Sequence, residues 1–322
     1  MSNEAILWTV FNLAVAGLLY FDLKVVSRHA HVVSFREAAL WSVVWIGLAL
    51  LFNLGIYHFM GEQKALEFLT AYVIEKSLSV DNLFVFIMIF THFGIEAKYQ
   101  PRILHWGILG ALVMRFVLIL AGVQLINAFH WIIYVFGAFL IYTGVRMGLA
   151  GDQKIDPGRN PILVFFRKFL PFTKEIQGQE FFVKSGGVWR ATPLFAALIV
   201  VEASDLVFAV DSIPAVLAIS TDTFIVYTSN VFAILGLRAL YFLLAGVMGM
   251  FRYLKTGLSV VLCYVGFKML LMGVYKIHTG VSLGIVLGIL AVSVLASVLI
   301  KEKKKEEAFG DGERAAGGGG RN

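Results

Sequence analysis

The sequence predicts an all-α, polytopic membrane protein of about nine transmembrane helices, built round a 3+3 inverted repeat with its N-terminus outside and its C-terminus inside. Three observations carry that prediction. The chain is 59% hydrophobic and only 15% charged, with a mean hydropathy of +0.82, outside the range of soluble domains. Its charges cluster between apolar runs long enough to cross a bilayer. Two of those runs also carry one acidic signature, acid-x4-Val-Asp followed by Asn or Ser. One copy is Glu75 to Asp81 and Asn82; the other is Asp205 to Asp211 and Ser212, with Glu202 one turn earlier.

The nine expected spans are Ala5–Leu23, Ala38–His58, Ala71–His92, Ile103–Leu125, Trp131–Leu149, Pro193–Ile219, Phe224–Met248, Leu258–Tyr275 and Ser282–Ile300. The first reads as a span rather than a leader: Glu4 stands where a basic n-region belongs, and Lys24 and Arg28 follow as a stop-transfer pattern. Alternate loops place 21 of the 27 basic residues on one side and only Lys64 and Lys276 on the other; Lys76, Arg115, Arg238 and Lys268 lie within spans. The positive-inside rule makes the crowded side cytoplasmic. The net charge of +6 thus reflects topology, and no nucleic-acid partner is expected. Cys263, the single cysteine, permits no intrachain disulfide and reads as a small core residue.

With that topology the third span runs inward and the sixth outward, so the two signatures are antiparallel. The fourth span has Arg115 followed by Leu-Ala-Gly122, and the seventh has Arg238 followed by Leu-Ala-Gly246. The fifth has Gly137 and Gly144, the eighth Gly266 and Gly273. Three ordered matches of opposite direction make residues 71–149 and 193–276 inverted repeats, a plan that places substrate near the midplane. Residues 1–70 and 277–300 are then peripheral spans. Residues 150–192 form a cytoplasmic linker loop, with a short interfacial helix at Phe165-Phe-Arg-Lys-Phe169 and a hairpin at 181–190. Residues 301–322 read as a disordered tail.

A carboxylate at the bilayer centre costs about 2.5–3.5 kcal/mol even on the lenient insertion scale, so repeated acids at matched spacing point to a cation site. On a helix Glu75 and Asn82 share a stripe while Asp81 lies about 120° round; Asp205, Ser212 and Asp211 repeat the pattern. Pro214 cannot donate to the carbonyl of Val210, which suggests unwinding beside Asp211. Carboxylate, amide and hydroxyl oxygens suit hard ions such as Mg²⁺, Ca²⁺ and Mn²⁺. Five acids (Glu75, Asp81, Glu202, Asp205, Asp211) against four bases (Lys76, Arg115, Arg238, Lys268) leave one negative charge, which a divalent ion or exchanging protons would balance. The bland reading is that these acids and bases form structural ion pairs. Lys76 reads as a locally paired or snorkelling residue or, equally, as a gating counter-ion, and Lys268 as a counter-charge or packing residue. His58, His92, His105, His130 and His278 flank the spans and read as interfacial, not ligating.

Glu75-Lys-Ser-Leu-Ser-Val-Asp-Asn-Leu-Phe-Val-Phe86 and Glu202-Ala-Ser-Asp-Leu-Val-Phe-Ala-Val-Asp-Ser-Ile-Pro-Ala-Val216 resemble the two hallmark motifs of the TerC family of integral membrane proteins, most of all its alkaline-induced, Alx-like branch. Thr228 to Tyr241 is similar to the family's following helix, and the likeness covers residues 5–300. It implies the wider lysine-exporter-like superfamily, manganese efflux from the bacterial inner membrane, and a historical association with tellurium resistance. It also makes Glu75, Asp81, Glu202, Asp205 and Asp211 metal-pathway acids. The expectation is a secondary transporter, not an enzyme, with no resident cofactor, exchanging Mn²⁺ for protons across the lipid bilayer. Its oligomeric state and the choice between Mn²⁺ and Ca²⁺ stay open. Alternatives are a metal-sensing scaffold of a tellurium or alkaline stress system, export of Ca²⁺ or a cationic amino acid, and a membrane hydrolase with paired aspartates. Against the hydrolase, Asp81 and Asp211 lack a Gly-x-Gly-Asp context.

Overall fold

The computed structural model describes residues 3–21, 33–149, 157–173, 176, 178–185, 187–245, 253–275 and 277–299. Lys24, Arg28, Lys154, Lys174, Gly246, Arg252, Lys276 and the tail from Lys301 lie outside the described residues.

The described residues form eleven α-helices: α1 Asn3–Phe21, α2 Phe35–Met60, α3 Glu62–His92, α4 Gln100–Ala128, α5 Ile132–Leu149, α6 Pro161–Phe169, α7 Pro193–Leu217, α8 Thr223–Leu235, α9 Leu237–Ala245, α10 Leu254–Leu271 and α11 Thr279–Leu299. One antiparallel hairpin, β1 Phe182–Ser185 with β2 Val188–Ala191, precedes α7. The protein is an all-helical, polytopic membrane protein. By length and apolarity α2, α4, α5, α7, α10 and α11 can each cross a bilayer, and α8 with α9, bent by 41° at their junction, forms either a seventh, broken span or a re-entrant loop. The sequence suggests nine. The difference lies in α1, of which the described residues include the apolar stretch Ala5–Phe21, and in α3, which carries Glu75, Lys76 and Asp81 in its apolar half.

Local chemistry fixes the helix ends. Ser34 caps α2 by accepting from Glu37 N. Asp222 caps α8, accepting from the backbone N–H of Phe224 (3.0 Å) and Ile225 (3.3 Å). Asn160 caps α6, with Pro161 in its first turn. Gly61, at φ +91°, turns α2 into α3.

At the centre α3 and α4 each pack against both α7 and α8, with α2 against α3 and α9, and α11 against α3 and α10. α5 and α10 form a separate antiparallel pair held by glycine. A Cβ at Gly137 would sit 2.9 Å from the Gly266 carbonyl, and one at Gly266 would sit 2.7 Å from the Gly137 carbonyl. Only bare backbone lets the axes approach so closely, the usual device where no hydrophobic drive exists between helices in lipid.

Two features differ from expectation. α7 runs unbroken through Pro214, so the lost bond to the Val210 carbonyl does not unwind the helix beside Asp211. The break falls instead at Gly236, between α8 and α9.

Candidate functional site

α3 presents Glu75, Ser79 and Asn82 on one buried face, as the stripe argument requires. α7 buries Asp205 and Ser212 opposite, and α4 supplies Arg115 between them. Arg115 donates through Nε to Asp205 Oδ2 (3.2 Å) and through Nη2 to Asp205 Oδ1 (3.0 Å), a bidentate pair. Its Nη1 donates to Glu75 Oε1 and to Asn230 Oδ1 of α8, the latter at 3.4 Å. Glu75 and Arg115 are 1% and 2% exposed, so the cluster is cut off from water. Within it Glu75 Oε2 and Asn230 Nδ2 have no hydrogen-bond partner among the described residues, nor have Ser79 Oγ and Ser212 Oγ on the same two helices, α3 and α7. Buried polar atoms without partners are costly, so the centre has spare capacity for an ion, a proton or water.

The other predicted site residues surround this centre without joining it. Glu202 lies one turn from Asp205 against α4, where Gly110 leaves the carboxylate its room: a Cβ there would collide with it. Asp211 accepts from Thr143 Oγ1 of α5 at 3.3 Å, with Arg146 in electrostatic reach. Asp81 lies in reach of Lys255 at the start of α10. The structure thus brings Glu75 and Asp205 together on Arg115, with Asn82 and Ser212 buried on the same two helices, and leaves Asp81 in reach of α10 and Asp211 hydrogen-bonded to α5. Among the described residues no three His, Cys, Asp or Glu are gathered as a metal site.

The bases separate as well. Lys76 reaches the break after α8, where its Nζ donates to the Ala233 carbonyl at 3.2 Å. A cation suits that position, since the last carbonyls of a helix lack partners. Arg238 is buried and lines a groove with Glu37, Trp41, Trp45 and Phe242. Lys268 is buried in α10 within reach of Glu67.

Sequence reasoning missed Asn230 and Thr143, which carry no charge to mark them. It also missed a cluster at the start of α3. Lys64 Nζ lies 2.9 Å from Asp222 and 3.2 Å from Glu67, and Ser220 Oγ donates to Glu67 Oε2 at 2.6 Å. Burial opposes the charge on Lys64, but its hydrogen bonds and proximity to Asp222 and Glu67 outweigh that and raise its pKa. Glu67 stands eight residues before Glu75, the one signal that could have exposed it.

Helices that cross a bilayer and enclose a charged, partly unsatisfied centre define a polytopic membrane protein with a polar core. The chain belongs to the TerC family of integral membrane proteins, whose profile matches residues 60–305. It is 49% identical over 293 residues, 91% of this chain and 92% of the other, to an uncharacterised membrane protein, STKORF319, of Myxococcus xanthus. It is 46% identical over 314 residues, 95% and 98% of the two chains, to a protein of Escherichia coli (strain K12) provisionally named membrane-bound redox modulator Alx. A membrane protein of Rickettsia felis is 40% identical over 294 residues, 91% and 98% of the two chains. No solved structure matches the chain.

Proposed function

We propose that the protein is a secondary transporter of the bacterial inner membrane, without enzymatic activity, that exports a divalent cation, Mn²⁺ foremost, in exchange for protons. One observation carries the reading: two buried carboxylates, Glu75 and Asp205, share a single guanidinium, Arg115, and the second oxygen of Glu75 has no partner among the described residues. With both carboxylates ionised the cluster holds one negative charge too many. A proton or a hard cation relieves it, and oxygen ligands suit Mn²⁺ or Ca²⁺. Arg115 and the cation compete for the same oxygens, so loading needs Arg115 to release a carboxylate. Glu202, Asp81 and Asp211 then serve as stations on either side.

The inverted repeat supports alternating exposure of that centre. Gly137 and Gly266 are equivalent positions under a shift of 129 residues (137 to 266, 144 to 273), and each lies against the other's carbonyl. The same shift carries the close approach of Cys263 to Gly144 onto that of Tyr134 to Gly273. Reciprocal contacts of this kind are what a pseudo-two-fold axis through the α5–α10 crossing produces.

The test is ⁵⁴Mn²⁺ flux in proteoliposomes with and without an imposed pH gradient, wild type beside Asp205→Asn and Asp81→Asn/Asp211→Asn. Gradient-dependent flux, lost in the variants at normal expression, is expected; flux indifferent to both the gradient and the substitutions overturns the reading. The relatives' name, a modulator rather than a transporter, favours a second reading as a metal-sensing scaffold. With one cysteine the chain cannot cycle an intrachain disulfide, so a redox effect would be indirect. Mn²⁺ binding without flux in the same vesicles selects that reading.

A further inference from the structure

The segment between α5 and α7 presents a surface that cation transport does not use. α6 buries Leu163 and turns Phe166 towards α7, but it carries a second apolar stripe on another face. Ile162, Phe165 and Phe169, spaced i, i+3, i+7, all point outward, with Phe165 57% and Phe169 70% exposed. The rings of Phe165 and Phe169 lie 5.0 Å apart, so the stripe is continuous there. Arg167 and Lys168 are exposed beside it. In the hairpin, exposed Lys184 stands opposite Trp189, itself 62% exposed, and Arg190 is exposed next to it.

Both elements seat on the first turn of α7. Phe195 has the ring of Phe166 at 6.5 Å and that of Phe182 at 4.5 Å. α7 is long and apolar enough to span the bilayer, so this surface begins where a span begins, at the level of the lipid head groups. Residues 157–192 also hold six Lys and Arg against two Glu.

We propose that α6 and the hairpin bind the anionic lipid leaflet at the mouth of α7. Ile162, Phe165 and Phe169 enter the boundary between head groups and acyl chains, and Arg167, Lys168 and Lys184 meet lipid phosphates. A short helix with an apolar stripe edged by basic side chains is built to lie in that plane. A second copy of the chain fits less well, because pairing these faces would bring two basic surfaces together. The binding requires no cation transport, so it stands or falls apart from that reading.

The experiment uses the full-length chain with Cys263→Ser and a single introduced cysteine, Phe165→Cys or Phe169→Cys, carrying an environment-sensitive fluorophore. The protein is reconstituted in phosphatidylcholine vesicles with or without phosphatidylglycerol, both containing doxyl-labelled lipid quenchers. Both labels are expected to be quenched by shallow doxyl groups in anionic vesicles, and Arg167→Gln/Lys168→Gln to reduce that quenching about twofold or more. A label as exposed to water in anionic vesicles as in detergent overturns the proposal. So does equal quenching with and without phosphatidylglycerol, or shielding in detergent that grows with protein concentration, which would mark a protein–protein face.

Discussion

Arg115 answers two carboxylates with different parts of one guanidinium, a fork to Asp205 and a single N–H to Glu75. Removing it strands two buried charges. Arg115→Ala is expected to cost about 3–5 kcal/mol of stability, read as a large drop in thermal unfolding temperature in detergent. Arg115→Lys keeps the charge but not the fork, so it should hold one carboxylate, lose less stability and still lower flux. The acids of this centre were legible in the sequence because a carboxylate inside an apolar run stands out, and the shared stripe of Glu75 and Asn82 followed from helical period alone. Which of the four intramembrane bases answers them was not. Arg115 lies 40 residues from Glu75 and 90 from Asp205, and which acids it meets depends on how α4 crosses α3 and α7. Lys76 makes the same point: next to Glu75 in sequence, it points about 100° away and finds the end of α8 instead.

At the scale of elements, glycine and not proline decides where helices bend and meet. Pro214 drew attention as a breaker, yet α7 continues through it, while the unremarkable Gly236 marks the 41° break. Any Cβ there would press on Lys76 Nζ and Trp45, so the break and the lysine that serves it are packed as one. The α5–α10 crossing depends on glycine more strictly, since the obstacle is backbone carbonyl, which cannot rotate away. Gly137→Val is expected to force the pair apart, costing about 1–3 kcal/mol and abolishing flux, with Mn²⁺ binding at the Arg115 centre kept. Calorimetry of the purified protein beside the vesicle assay separates the two effects. The matching glycines were visible in the sequence; that they touch each other was not, because spacing fixes equivalence but not proximity.

For the whole molecule, composition and charge placement were enough for the class, an all-helical protein of the membrane. The number of spans turns on α3, which is made of residues that suit its neighbours and not lipid. Three charges, Glu75, Lys76 and Asp81, remove α3 from the helices that length and apolarity would place in a bilayer, while α4 qualifies despite Arg115. This bears on how the chain is made. At about 2.5–3.5 kcal/mol for each charge near the centre, α3 is a poor candidate to enter the membrane when it first leaves the ribosome. Once α4 emerges, Arg115 can neutralise Glu75, and the two helices can enter as a hairpin. Asp205 arrives only with α7, long after. In a nascent chain stopped after α3, a cysteine introduced as Lys98→Cys should therefore be labelled from the same side of the membrane as Glu62→Cys, and in one stopped after α4 from the opposite side. Arg115→Ala should return the longer chain to the behaviour of the shorter. The ion pair at the core of the finished protein would then be, during synthesis, the entry permit of its own third helix.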